Sequence, residues 1–192
     1  MRTTIAAIIV IASTALALSG CAAIRTPDPG ATPTDNSSAS VASWLPEGAS
    51  VHSNLAYGSD PNQKLDVYQP EGAEDAPILL MVHGGGWKRG DKFAPGLINN
   101  KVSHYLPMGY IFVSTNYRLS PEVGPLTEAD DVATALAYVQ KPAAEWGGSG
   151  QKVVLMGHSA GAHLVSLLTA DPSIAERAGA APWLGTVALD SA

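Results

Sequence analysis

A serine between two glycines, in the run GHSAG at positions 157–161, has the clearest potential for chemistry in this sequence. An apolar run precedes it and a helical pattern follows it. A serine at the tip of a sharp strand-to-helix turn needs neighbours without side chains, which Gly157 and Gly161 supply. Ser159 would then be a nucleophile at a helix N-terminus, where the N–H of Ala160 can donate to an oxyanion.

A second glycine-rich run, HGGGW at positions 83–87, directly follows the apolar segment 77–82. That segment is typical of a fully buried strand. Glycines at the end of a buried strand can present bare backbone N–H groups to a ligand. Gly84, Gly85 and Gly86 are therefore candidates for the second half of an oxyanion hole.

Together these runs resemble the oxyanion loop and nucleophile elbow of esterases and lipases with the α/β-hydrolase fold. The runs LDVYQP (65–70), GDK (90–92) and NYRL (116–119) narrow the resemblance to small bacterial carboxylesterases and arylformamidase-like enzymes. The motifs follow the family's order across roughly residues 50–192. The resemblance implies an α/β-hydrolase fold with a mostly parallel sheet and helices on both faces.

Three histidines lie within or beside the two glycine-rich runs. In an HGGG loop, His83 is expected to hold the loop by a hydrogen bond rather than to act as a base. His158 and His163 are poor candidates for the base of Ser159, because a neighbour in the elbow points away from the pocket and a residue at i+4 lies along the helix. Both are interpreted as packing residues.

Two other side chains lie within the motifs. Trp87 is either a core residue or a pocket wall, and the sequence leaves both open. Arg118 is expected to pair with an acid, either Asp130 or Asp131. The histidines are scattered and Cys21 is the only cysteine, so no metal constellation and no cofactor is predicted.

Strands alternating with helices predict the mostly parallel sheet independently of the motifs. An antiparallel hairpin at a sheet edge is expected first. Thr127 and Asp130 resemble a capping box at the start of the long helix. The predicted strands cover 50–57, 64–68, 77–82, 110–115, 152–156 and 184–189. The predicted helices cover 93–106, 127–146 and 162–170.

The first 20 residues are interpreted as a lipoprotein signal peptide. A short basic start precedes a 14-residue apolar run at 5–18, which is too short to span a bilayer comfortably. The run ends in LSGC at 18–21, which resembles a bacterial lipobox with lipid on Cys21. An ordinary secretory signal is the alternative. With a single cysteine, an intrachain disulfide is excluded.

Residues 21–43 are rich in Ala, Thr, Pro, Ser, Asp and Asn and predict a flexible linker between the lipid and a domain at 44–192. Its root-mean-square reach is roughly 25 Å. The formal charge of −6 argues against nucleic acid and against attraction to anionic lipid. The expected protein is therefore exported and anchored covalently to a bacterial membrane, with its domain outside the cytoplasm.

The resemblance also implies a catalytic acid and a histidine after the serine, in that order. Beyond His163 the sequence contains no further histidine. Asp190, which ends the last predicted strand, is a weak candidate for the acid. The sequence is therefore expected to be the front part of a longer hydrolase that lacks its C-terminal strands, and to be nearly inactive alone.

The chemistry expected from the resemblance is cleavage of a small carboxylic ester through an acyl-enzyme on Ser159. The alternative is a non-catalytic lipoprotein that uses an incomplete hydrolase core as a binding module. Two halves of an oxyanion hole favour the enzyme, since a binding module has no physical need for them. The acyl and alcohol groups and the oligomeric state are not readable from the sequence.

Overall fold

The computed structural model describes residues 7–11, as backbone only, and residues 44–190. The strands are β1 (Ala7–Ile11), β2 (Ser50–Ala56), β3 (Lys64–Gln69), β4 (Ala76–Val82), β5 (Ile111–Thr115), β6 (Gly148–His158) and β7 (Gly185–Leu189). The helices are α1 (Pro95–Tyr105), α2 (Pro125–Gln140), α3 (Ala160–Ala170) and α4 (Ser173–Arg177), with 3₁₀ turns at Leu106–Met108 and Ala143–Trp146.

The strands form one sheet in the order β1-β7-β6-β4-β5-β3-β2. All neighbours from β1 to β5 in this order run parallel, whereas β3 is antiparallel to both β5 and β2. The mostly parallel sheet and the antiparallel edge hairpin predicted from the sequence are thus confirmed.

Both faces of the central strands β4 and β5 are buried, which explains their nearly continuous apolar runs. On one face, α2 and α3 pack against alternate strand residues such as Leu80 and Val113. On the other face, α1 packs through Ile98 and Val102 against the intervening strand residues.

The chain leaves β4 in one direction to form β5, then returns across β4 to form β6. This reversal makes a switch point between β4 and β6. In open parallel sheets, ligands bind outside the carboxyl ends of the strands at such a point. Both glycine-rich runs, 83–87 and 157–161, begin at those strand ends.

The long helix begins and ends earlier than predicted. Its N-cap is Gly124, its first residue is Pro125, and no side chain caps it. The predicted Thr127–Asp130 capping box is therefore wrong, because proline sets a helical φ two residues earlier. The helix ends at Gln140 because Pro142 prevents its continuation, and a 3₁₀ turn replaces the predicted last turns.

The signal-peptide and linker predictions fall largely outside the described residues. Cys21 and residues 21–43 are among those not described. Within the predicted signal peptide, β1 lies parallel to β7. Among the described residues, no helix is long and apolar enough to span a membrane.

Candidate active site

Ser159 lies at the turn between β6 and α3, as the sequence predicts. Its backbone has φ 51° and ψ −118°, a conformation that a residue with a side chain rarely adopts. The Ser159 N–H donates to the Leu189 carbonyl at 2.9 Å, which ties the turn to the end of β7. The Ala160 N–H belongs to the first turn of α3, where amides lack intrahelical acceptors.

The glycines on either side of the turn are required by packing. A Cβ on Gly157 would collide with the Gly161 carbonyl, and a Cβ on Gly161 would collide with the backbone of Val82 at the end of β4. The turn therefore packs tightly on itself and on the neighbouring strand. This is the steric role that the sequence assigned to the two glycines.

The HGGG loop lies directly against this turn. In the parallel register of β4 and β6, Val82 is opposite Gly157, so the following residues of both strands stay side by side. A Cβ on Gly84 would lie 2.9 Å from the Ser159 Cβ and 2.8 Å from the His158 carbonyl oxygen. Only glycine fits at position 84 without displacing the serine.

His83 holds the start of the loop. Its Nδ1 and the Gly84 carbonyl oxygen are 2.8 Å apart, and its ring stacks on Tyr117 with centroids 4.5 Å apart. The Tyr117 hydroxyl donates to the His83 carbonyl at 3.0 Å. Burial lowers the pKa of His83, so the ring stays neutral at physiological pH.

The far end of the loop is held by a buried ion pair. Lys92 Nζ lies 2.7 Å from Asp66 Oδ2, and the two side chains are 8% and 3% exposed. The Asn54 N–H donates to Asp66 Oδ1 at 2.7 Å. Asn116 joins the group, since its Oδ1 accepts from the Lys92 N–H at 2.5 Å and its Nδ2 donates to Asp91 at 3.0 Å.

The sequence alone does not predict this ion pair. The available signal was Asp66 itself, an acid inside the otherwise apolar half of β3. An acid in a buried strand requires a partner, but nothing local to β3 shows that Lys92 supplies it.

The interpretation of His158 as a packing residue is wrong. Its side chain is 43% exposed and lines the same cavity as Ser159. Its Nε2 lies 3.8 Å from Asp190 Oδ2, a long and exposed contact. His158 is the last residue of β6, and at this end of the strand its side chain projects beyond the packed part of the sheet.

The sequence left open the place of Trp87 and the partner of Arg118, and the contacts of both residues decide them. Trp87 packs against the larger core cluster, and its ring centroid lies 5.3 Å from that of His163. The partner of Arg118 is Asp131, which accepts from Nε at 2.9 Å, from Nη2 at 2.6 Å and from the Arg118 N–H at 3.0 Å. Asp130 is exposed.

Glu128 is an unusual carboxyl near this region. It is fully buried in the first turn of α2, where the backbone of Ser120 favours its charged form by less than burial disfavours it. Burial, together with the charge of Asp131, raises the pKa of Glu128 to about 7. The negative charge of Glu128 in turn contributes to a raised pKa of Tyr117, although burial is the larger cause.

A cavity of about 770 Å³ opens at this end of the sheet. It brings together most of the candidate residues, and the loop continues along its wall to α1. The lining residues are His83, Gly84, Gly85, Gly86, Lys88, Arg89, Gly90, Asp91, Ala94, Gly96, Leu97, Lys101, His158 and Ser159. Within residues 44–190, no three His, Cys, Asp or Glu side chains are grouped to hold a metal ion.

Residues 65–177 match the family model BD-FAE. Over 98 residues the chain is 38% identical to the probable carboxylic ester hydrolase LipM of Mycobacterium tuberculosis, covering 51% of this chain and 22% of LipM. Esterase LipQ of the same organism is 33% identical over 166 residues, covering 75% of this chain and 37% of LipQ.

Among solved structures, esterase B from Lactobacillus rhamnosis with a tributyrin phosphonate superposes with a TM-score of 0.59 at 25% identity. The match covers 79% of this chain and 52% of esterase B. The chain thus spans 22% of LipM, 37% of LipQ and about half of esterase B. Because the family model matches more than half of its residues, the chain belongs to the BD-FAE family, and it has the α/β-hydrolase fold.

Proposed function

We propose that this protein is a serine esterase in which Ser159 is the nucleophile. One observation carries the proposal: Gly84 of the HGGG loop packs against a strained Ser159 at the switch point of the sheet. The nucleophile and the glycines of the HGGG loop then border one cavity, and the N-terminus of α3 directly follows the nucleophile. The esterase names of the relatives support the same class of reaction.

In the proposed reaction, Ser159 Oγ attacks the ester carbonyl carbon, and the hydroxyl proton passes to a general base. The C–O bond to the alcohol breaks, the alcohol leaves with that proton, and an acyl-serine remains. Water then hydrolyses the acyl-serine, giving the carboxylic acid and free Ser159. We assign the base and its acid to residues outside the described ranges, since the relatives are much longer.

The negative charge that develops on the carbonyl oxygen requires preorganised donors. We assign this role to the Ala160 N–H and to one or two N–H groups among Gly84, Gly85 and Gly86. The N-terminal dipole of α3 favours the same charge. Losing one such donor costs about 10²–10³ in kcat in enzymes of this kind.

Labelling with a fluorophosphonate probe tests the proposal in the protein made from its complete reading frame in native membranes. Wild type should label at Ser159, and Ser159→Ala should not. Ser166→Ala is the matched control, since Ser166 is a half-buried serine on the same helix and does not line the cavity. Absence of label from folded wild type would contradict the esterase and favour the binding module.

We further propose that Cys21 carries lipid and holds the domain outside a bacterial membrane. The support is the apolar run at 5–18 that ends in LSGC, followed by a polar segment. Cys21→Ser should release the protein from the membrane into the soluble extracellular or periplasmic fraction. Retention of Cys21→Ser in washed membranes would contradict the anchor without affecting the esterase proposal.

A further inference from the structure

The wall of the cavity next to Ser159 is rich in cations. Lys88, Arg89 and Lys101 line it, against a single carboxylate, Asp91. The whole chain has the opposite balance, with 11 Lys and Arg against 17 Asp and Glu. The charge of this cavity is therefore opposite in sign to the net charge of the chain.

The single carboxylate is already engaged in holding the loop. Asp91 Oδ1 accepts from the Phe93 N–H at 2.7 Å, and Oδ2 accepts from Asn116 Nδ2 at 3.0 Å. Among residues 44–190, no ion pair joins Asp91 to Lys88 or Arg89. Both cations are exposed at the cavity rim and stay available to a ligand.

Lys101 is the most informative of the three cations. It is half-buried on α1, and its Nζ donates to the Leu97 carbonyl at 3.3 Å. No acid pairs with it within the described part of the chain. Burial lowers the pKa of Lys101, which is the electrostatic cost of a cation that lacks a counter-ion. A bound anion would remove that cost.

We propose that the physiological substrate is an ester whose acyl or alcohol part carries a carboxylate, held by Lys101 and steered by Lys88 and Arg89. This inference rests on the proposed function. Charges of one sign in a cleft raise both the local substrate concentration and the association rate. For a separation of about 6 Å and an effective dielectric constant between 20 and 80, removing one such charge should cost roughly 3- to 100-fold in kcat/KM.

Matched substrate pairs test the proposal with the complete protein. For the acyl side, the 4-nitrophenyl monoester of adipate is compared with its methyl ester. For the alcohol side, 4-acetoxybenzoate is compared with its methyl ester. The readout is the ratio of kcat/KM for the anionic ester to that for its neutral partner, at low and high salt.

Wild type should prefer the anionic member of at least one pair, and the preferred pair identifies the side that carries the charge. Lys101→Met should lower that ratio about tenfold, Lys101→Arg should retain it, and added salt should lower it in wild type. Lys141→Met is the control, since Lys141 is exposed beyond the end of α2 and does not line the cavity. That substitution should leave the ratio unchanged.

The outcomes separate the two proposals. If neutral esters are hydrolysed but neither anionic ester is preferred, or if Lys101→Met leaves the ratio unchanged, the substrate assignment is wrong and the esterase stands. If no ester is hydrolysed and Ser159 does not label, the proposed function fails, and the substrate assignment fails with it.

Discussion

Replacing Lys92 by methionine should destabilise the protein by about 3–5 kcal/mol, because it leaves the Asp66 carboxylate buried without its cation. The two groups lie 2.7 Å apart and are 8% and 3% exposed. Among residues 44–190, the Asn54 N–H would remain as the hydrogen-bond partner of that carboxylate. Urea denaturation followed by circular dichroism measures the change in the free energy of unfolding.

The same ion-pair chemistry at the surface supplies the control. Lys152 and Asp75 lie 2.5 Å apart, but their side chains are 45% and 67% exposed. Water and salt screen such a pair, so Lys152→Met should destabilise the protein far less than Lys92→Met does. If Lys92→Met costs no more than Lys152→Met, the reasoning from burial is refuted.

A second readout tests whether the ion pair also positions the oxyanion loop. Lys92 lies just beyond the loop, and Lys92→Met frees one of its two anchors. Under conditions where the variant stays folded, kcat should fall by about 10²-fold, with a smaller change in KM, because the N–H donors act mainly on the transition state. Unchanged kcat in the folded variant would limit the role of Lys92 to stability.

Three further predictions follow from single contacts. Gly84→Ala should lower kcat by about 10²–10³-fold, since its Cβ would lie 2.9 Å from Ser159 Cβ. Gly124→Ala is the control for steady-state kinetics, because its Cβ would meet nothing within 4 Å and Gly124 does not line the cavity. Glu128→Gln should stabilise the protein by up to about 3 kcal/mol at pH 8. The pKa of Glu128 is about 7 in the folded state, above its value of about 4.5 in the unfolded state, so the wild type loses stability as the pH rises between these values. Glutamine does not ionise and avoids this loss. The gain should vanish at pH 4 in urea denaturation, and an equal gain at both pH values would contradict the ionisation argument. Arg118→Lys should cost about 1–2 kcal/mol in the same assay, because lysine cannot reproduce the two-point contact with buried Asp131, and a cost near zero would show that one contact suffices.

The elements that carry the site could be predicted because their signals are local. The buried strand 77–82 was predicted within one residue of β4, since apolar residues are nearly continuous there. The strand, serine and helix order around Ser159 followed from the same kind of signal. The ends of the long helix α2 were predicted less accurately. Pro125 and Pro142 determine them, and the Thr127–Asp130 pattern points to a different first residue.

The sequence by itself determined the α/β class, the edge hairpin and the two glycine-rich runs, because apolar periodicity and glycine placement report how each segment is buried. Tertiary structure alone decided which segments meet. Gly84 and Ser159 are neighbours because β4 and β6 pair in register across a switch in strand order. The pairing of Asp66 with Lys92 and the position of His158 at the cavity have the same cause. Both depend on strand order and register, which are long-range properties that no local pattern encodes.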